Sequence, residues 1–129
     1  MIRQQFSVEK YWEVIVYYHV DYNLFNIIEE ELLTNDITLN TLDELYYMMY
    51  SGKAKAVTFS SPMKHISIVL FNIHKNKSDY INSIVHEAEH IKQAMLSAYR
   101  VEDEGEPPAY TIGYLVSRMY EVFRHFMCG

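Results

Sequence analysis

The sequence predicts an α+β domain in which a small, antiparallel-containing sheet packs on helices in the order β-α-α-β-β-α-α. Three observations lead there: an alternating run of β-branched and aromatic residues near the start, two more β-type runs mid-chain, and four segments with helical spacing. Strands and helices that cluster, rather than alternate strictly, are typical of this class. The 129 residues fit one compact domain, 1–129.

The first half of the chain supplies one strand and two helices. Residues 11–20 alternate β-branched and aromatic residues, which predicts a strand. Residues 24–33 space their apolar side chains helically. A second helix is marked by Thr41 and Glu44, which form a capping-box pattern, and by apolar residues every three or four positions over 42–50.

A hairpin and a long helix follow. Residues 54–59 and 66–73 are β-type runs on either side of the Ser- and Pro-containing loop 60–64, and the second run is apolar on both faces. We therefore expect the second strand to be central in the sheet. A helix then begins at an N-cap among residues 76–79 and runs to about Tyr99, with an apolar stripe along it.

The last helix follows an acidic turn over residues 101–106. Pro107 and Pro108 open it, because the first turn of a helix tolerates missing N–H donors, and it runs to about Phe126. Small residues four apart predict that another helix approaches closely along one stripe: Ala109, Gly113 and Ser117.

Composition and charge exclude several classes of function. The net charge of −6 and the lack of a Lys/Arg block argue against a nucleic-acid partner. The longest apolar stretch, Val14 to Val20, is too short to span a membrane, and residues 1–10 lack the apolar run of a secretory signal. A single cysteine, Cys128, makes no internal disulfide. We expect a cytoplasmic protein.

The segment His86-Glu87-Ala88-Glu89-His90 carries the chemistry. Two imidazoles four residues apart on a helix stand on one face and can both reach a single Zn²⁺ ion. Glu87 projects from nearly the same side and is placed to act as general base toward a metal-bound water. The alternative is a solvent-facing turn of helix with polar side chains. Flanking apolar residues make that alternative the weaker one.

A catalytic zinc takes three protein ligands, so a third must come from elsewhere. The metzincin pattern is absent, because Gln93 stands where its glycine would be. The acidic turn offers Glu102, Asp103, Glu104 and Glu106. Glu106 is favoured, because the two following prolines stiffen the helix entrance where it sits. The alternative for each carboxylate is a solvated loop residue.

Residues 54–126 resemble the strand-turn-helix core of zincin metallopeptidases. The carrying segments are residues 66–72, the motif helix around residues 83–90, and Glu106-Pro107-Pro108-Ala109, which resembles the third-ligand segment of gluzincins. The nearest group is the ImmA/IrrE-type metallopeptidases and small zincin-like proteins of phage and mobile elements. The spacing from His90 to Glu106 is shorter than in many gluzincins, and no separate sensor domain is present.

Two functions follow from these observations. The first is a zinc metallopeptidase whose metal is held by His86, His90 and Glu106, with Glu87 as general base and a peptide or protein as substrate. An extended substrate would add to the hairpin edge through main-chain hydrogen bonds. The second is a catalytically inactive zincin-like interaction protein of phage or mobile-element origin. The sequence leaves the substrate and the oligomeric state open.

Overall fold

The computed structural model describes residues 1–127, except that the side chains of Glu106 and Met127 lie outside the described part. One 3-10 turn, Tyr22–Leu24, precedes the first helix. The α+β class is confirmed by the elements: β1 (Ile2–Val8), β2 (Trp12–Tyr18), α1 (Phe25–Thr34), α2 (Leu39–Tyr50), β3 (Ala56–Ser61), β4 (Ile66–Phe71), α3 (Lys77–Tyr99) and α4 (Glu106–Met127).

The four strands form one mixed sheet in the order β1-β2-β4-β3. β1 pairs antiparallel with β2, β2 pairs parallel with β4, and β4 pairs antiparallel with β3. β4 is central, as its apolar sequence predicts, and all six of its residues are buried. β3 lies at one end of the sheet, so its outer side faces no described strand.

Helices cover both faces of the sheet, because successive side chains of each strand point to opposite sides. Val14, Val16 and Tyr18 of β2 face one layer, where they join a core with α3 and α4. Ile15 and Tyr17 face the other layer, where they pack with buried residues of α1 and α2. Each long helix therefore lies on one defined face, and α3 and α4 share theirs.

The predicted order of elements was wrong at its start, because it omitted the first strand, β1. Ile2–Val8 reads as polar because the strand alternates exposed residues with a few that face the core. Phe6 and Val8 are buried, and the Gln4 side-chain amide donates to the carbonyl of Arg118 at 2.8 Å. A partly buried edge strand of this kind carries too few apolar residues to show the usual alternation.

The second helix begins earlier than the capping-box pattern predicts. Thr38 is its N-cap, and the Thr38 hydroxyl accepts a hydrogen bond from the Thr41 backbone N–H at 3.2 Å. Thr41 thus lies inside the first turn. Both threonines can satisfy a free N–H group, so the sequence alone did not decide which of them caps the helix.

The small-residue stripe on α4 does not pack on another helix, so that prediction was wrong. Ala109, Gly113 and Ser117 are exposed, and a side chain added at Gly113 would meet nothing within 4 Å. α4 instead contacts the core through Leu115, Met119 and other large side chains. Neither α3, α4 nor any other described helix is both long and apolar enough to cross a membrane.

Candidate metal centre

The motif lies in the middle of α3, where the helix is well supported at both ends. Asn76 caps the start, with its side-chain oxygen accepting from the Asp79 backbone N–H at 2.8 Å. The helix ends at Arg100, which adopts the left-handed conformation (φ 57°). Residues 86–90 are two or more turns from either end, so their backbone is fully helical.

The two imidazoles converge. The Nε2 atoms of His86 and His90 are 3.1 Å apart, and the ring planes lie at 83°. Two nitrogens bound to one tetrahedral zinc at 2.0–2.1 Å would be separated by about 3.3 Å. This separation is close to what a shared ion requires, and it is also the length of a hydrogen bond between the two rings. Both side chains are exposed, which leaves the pair open to solvent on one side.

Glu87 points toward β3, which packs against α3. It is only 3% exposed, and its Oε1 accepts a hydrogen bond from the Thr58 hydroxyl at 2.9 Å. Burial raises the pKa of Glu87, while the Thr58 hydrogen bond and the nearby His86 and His90 rings oppose the rise. The motif thus combines an exposed imidazole pair with a buried, singly bonded carboxylate.

The outer edge of β3 lies beside this contact. The Asn72 N–H donates to the Lys55 carbonyl, and Lys55 and Asn72 continue the β3–β4 register. Because antiparallel pairs alternate between bonded and non-bonded positions, the main chain of Thr58 points outward, away from β4. The same alternation turns the main-chain groups of Ala56 and Ser60 outward.

Sequence reasoning identified the motif but missed Thr58. Residues 56–61 alternate small or polar side chains with Val57 and Phe59, and this period of two does indicate that Thr58 shares a face with its small neighbours. The helix that this face meets depends on strand order. Hence the link between Thr58 and Glu87 followed only from the tertiary structure.

Ser83, one turn before Glu87 on the same side of α3, is also hydrogen-bonded. Ser83 lies four residues before Glu87, and its hydroxyl donates to Nε2 of His74 at 2.7 Å. The other ring nitrogen of His74 donates to the Asn72 carbonyl at 2.8 Å, which fixes the tautomer. His74 is 8% exposed, and this network anchors the loop between β4 and α3.

The structure places Asp103 away from the imidazole pair. The Asp103 carboxylate binds Nζ of Lys92 at 2.9 Å, and Lys92 also binds Glu89 at 2.9 Å. Lys92 follows His90 by two residues, about 200° around the helix, and so lies near the opposite side. Asp103 therefore belongs to the ion pair on that side.

In the described part of the chain, no contact joins the other acidic candidates to the imidazole pair. Glu102 and Glu104 are exposed. The side chain of Glu106 lies outside the described part, so its ligand role stays a prediction. Among the residues whose side chains are described, no group of three His, Cys, Asp or Glu is arranged to hold a metal ion.

A cavity of about 730 Å³ lies at the far end of α3, away from the motif. Its walls are largely apolar and come from the β1–β2 turn, the end of α3 and the start of α4. Tyr99 closes one side, with its hydroxyl donating to the Tyr11 carbonyl at 2.8 Å. None of the motif residues lines it, so its size says nothing about the imidazole pair.

The chain was compared with family models, curated proteins and solved structures. No family model, curated protein or solved structure matches the chain. The family resemblance of the motif therefore enters the functional argument as a proposal, carried by the arrangement of α3 and β3.

Proposed function

We propose that the chain is a zincin-like metallopeptidase that hydrolyses peptide bonds with a zinc-activated water. One observation carries the proposal: the Nε2 atoms of His86 and His90 are 3.1 Å apart, and Glu87, the residue after His86, is buried and hydrogen-bonded to the edge strand β3. A solvated polar turn of helix would need neither the convergence of the rings nor the burial of the carboxylate.

The residues present suit a zinc ion. His86 and His90 would supply two nitrogen ligands at a separation close to the tetrahedral value. The third ligand would come from the acidic turn. Asp103 is engaged by Lys92, and Glu106 precedes Pro107, which lines the cavity at the far end of α3, so the turn would have to move toward the imidazole pair to supply Glu106. Zinc bound there would acidify a water molecule and polarise a carbonyl group.

Glu87 would act as the general base. Its carboxylate is held in place by one hydrogen bond at Oε1, and the described residues offer no hydrogen bond to Oε2. Oε2 is therefore available to take a proton from water and to return it to the leaving amine.

The substrate would be an extended peptide segment. The outward N–H and C=O groups of Ala56, Thr58 and Ser60 form an open strand edge beside the motif, and such an edge binds a further strand by main-chain hydrogen bonds. A folded substrate would have to expose a segment of this kind. Main-chain pairing confers little side-chain selectivity by itself, so the sequence preference is left to neighbouring pockets.

Metal binding is the first test. The purified protein is equilibrated with Zn²⁺, dialysed, and its bound metal measured by mass spectrometry. We expect one zinc per chain, and loss of that zinc in His86→Ala and in His90→Ala. His125→Ala, an exposed histidine in the last turn of α4, is the matched control and should retain the metal. A wild-type protein free of zinc under these conditions would contradict the proposal.

Peptide hydrolysis is the second test. The zinc-loaded protein is incubated with a library of unstructured peptides, and the products are read by mass spectrometry. Cleavage that requires zinc and disappears in His86→Ala supports the peptidase. Zinc binding without cleavage of any library member favours the alternative function.

The alternative is a non-catalytic interaction protein on the same scaffold. It is favoured by the exposure of large aromatic side chains, which are typical of interfaces. Tyr11 is 69% exposed, Tyr110 73% and Tyr50 64%. In that case Glu87→Gln would leave every measurable property of the protein near wild type, apart from a small change in stability.

A further inference from the structure

We propose that Thr58 is the positioning residue that orients Glu87 and ties the base to the strand edge on which the peptide pairs. This inference rests on the proposed function, and it goes beyond it by naming the residue that connects substrate binding to proton transfer. The inference is based on two features of Thr58. Its side chain is hydrogen-bonded to Glu87, and its main-chain N–H and C=O groups point away from β4.

The side-chain contact is well defined. The Thr58 hydroxyl donates to Glu87 Oε1 at 2.9 Å in a part-buried position. Threonine is β-branched, so its hydroxyl is held in few rotamers on a strand. The contact therefore restrains Oε1 of Glu87 and leaves Oε2 as the oxygen without a hydrogen bond from the described residues.

The neighbouring outward residues do not provide the same link. Ser60 uses its hydroxyl on Ser67, at 2.6 Å between the two oxygens, and Ala56 has no polar side-chain atom. Thr58 lies between them. Of the three outward-facing residues, Thr58 is thus the one whose side chain reaches the motif.

This arrangement predicts a register for the peptide. In an antiparallel pairing, the peptide residue opposite Thr58 exchanges main-chain hydrogen bonds with it, so that residue must offer an N–H group. Proline or an N-methylated residue at that position would remove one bond and weaken binding. The main-chain N–H of the next peptide residue points away from β3, so the same substitution at that residue should be tolerated.

Three variants of Thr58 separate its roles. Thr58→Val keeps the shape and removes the hydroxyl, Thr58→Ser keeps the hydroxyl and removes the methyl group, and Thr58→Ala removes both. With a peptide cleaved by the wild-type protein, we expect Thr58→Val to lower kcat about ten-fold or more, with KM within about two-fold. Thr58→Ser should retain kcat within about three-fold.

A measurement without catalysis tests the contact itself. The side-chain carboxyl carbon of Glu87 is observed by NMR in metal-free protein and assigned through Glu87→Gln. Thr58→Val should shift this resonance, and Thr58→Ser should leave it near its wild-type position. An unchanged resonance in Thr58→Val would overturn the inference.

The two measurements distinguish the two proposals. If the resonance shifts but the wild-type protein cleaves no peptide, the proposed peptidase fails while the positioning contact stands. If cleavage occurs but Thr58→Val is as active as the wild type, or if Thr58→Ser is as impaired as Thr58→Val, the peptidase stands and the positioning role is overturned. A loss confined to KM would also overturn it.

Discussion

The two flanks of α3 differ in what they bury. The β3 flank is formed by Ser83, Glu87 and His90. Ser83 and Glu87 are hydrogen-bonded to other side chains, and His90 is exposed. The α4 flank, formed by Lys92, Met95 and Tyr99, meets the acidic turn and the start of α4. Residues on the same flank are three or four positions apart, so one helix presents two chemically distinct surfaces.

The difference shows where chemistry is placed. A buried carboxylate such as Glu87 costs stability unless it is hydrogen-bonded, and it has one such bond beside an open strand edge. Lys92 is also buried, yet it is neutralised by two carboxylates, Glu89 of α3 and Asp103 of the turn before α4. The α4 flank therefore uses its charges for structure, and the β3 flank leaves oxygen and nitrogen atoms available.

The largest effect is expected at Glu87. Glu87→Gln keeps the size and the hydrogen bond from Thr58 but removes the base, so peptide cleavage should fall about 10²–10⁴-fold while zinc is retained. Turnover and bound metal are measured on the same preparation. Glu89→Gln, two residues away in the same motif, is the control and should lower turnover by less than about three-fold.

Zinc affinity tests which flank supplies the third ligand. Glu106→Gln should weaken zinc binding about ten-fold or more, because a ligand oxygen is lost. Asp103→Asn should change it by less than about two-fold, because Asp103 binds Lys92 on the α4 flank. Competition with a chelating dye measures both affinities. A larger loss in Asp103→Asn than in Glu106→Gln would show that the acidic turn rearranges around the ion.

The free energy of unfolding should depend on pH through His74, which is hydrogen-bonded to Ser83 of the β3 flank. Burial lowers the pKa of His74, with Lys55 acting in the same direction and with the Asn72 carbonyl and Asp79 opposing. The unfolded chain then binds the proton more readily, so the free energy of unfolding falls as pH drops below about 6.5, by at most about 1.4 kcal/mol per pH unit for this group.

Urea unfolding between pH 7.5 and 5 measures that slope. His19 also has a pKa lowered by burial, so part of the slope belongs to it. His74→Gln should flatten the curve, whereas His125→Gln should leave it unchanged. A curve in His74→Gln as steep as in the wild type would mean that other groups carry the dependence.

The smallest effect concerns the outward face of α4. Gly113 is helical, exposed and free of neighbours, so Gly113→Ala should stabilise the fold by about 1 kcal/mol. If another helix used the small-residue stripe, the added methyl group would clash and destabilise instead. Thermal unfolding at fixed protein concentration decides the sign.

The local features of the fold could be read from the sequence, and the non-local ones could not. The N-cap expected among residues 76–79 and the prolines that open α4 act over a few residues, and both predictions agree with the structure, where Asn76 is the N-cap of α3. β1 was missed because its pairing with β2, rather than its own composition, makes it a strand. The parallel pairing of β2 with β4 likewise depends on contacts distant in sequence.

The same division applies to the candidate site. The convergence of His86 and His90 follows from helical spacing alone. The contact between Thr58 and Glu87 depends on which strand lies at the edge, and the pairing of Asp103 with Lys92 depends on how the turn folds back. Neither is visible in a pattern of residue types.

The parallel pairing of β2 with β4 has a consequence for how the protein forms. These strands meet only after the chain between them, which carries α1, α2 and β3, has crossed from one to the other. Such distant contacts slow folding, whereas the imidazole pair needs only one helical turn. The pairing of β2 with β4 is therefore expected to form late, whereas the β3–β4 hairpin and the helical turn that carries His86 and His90 depend on contacts close in sequence and can form before it.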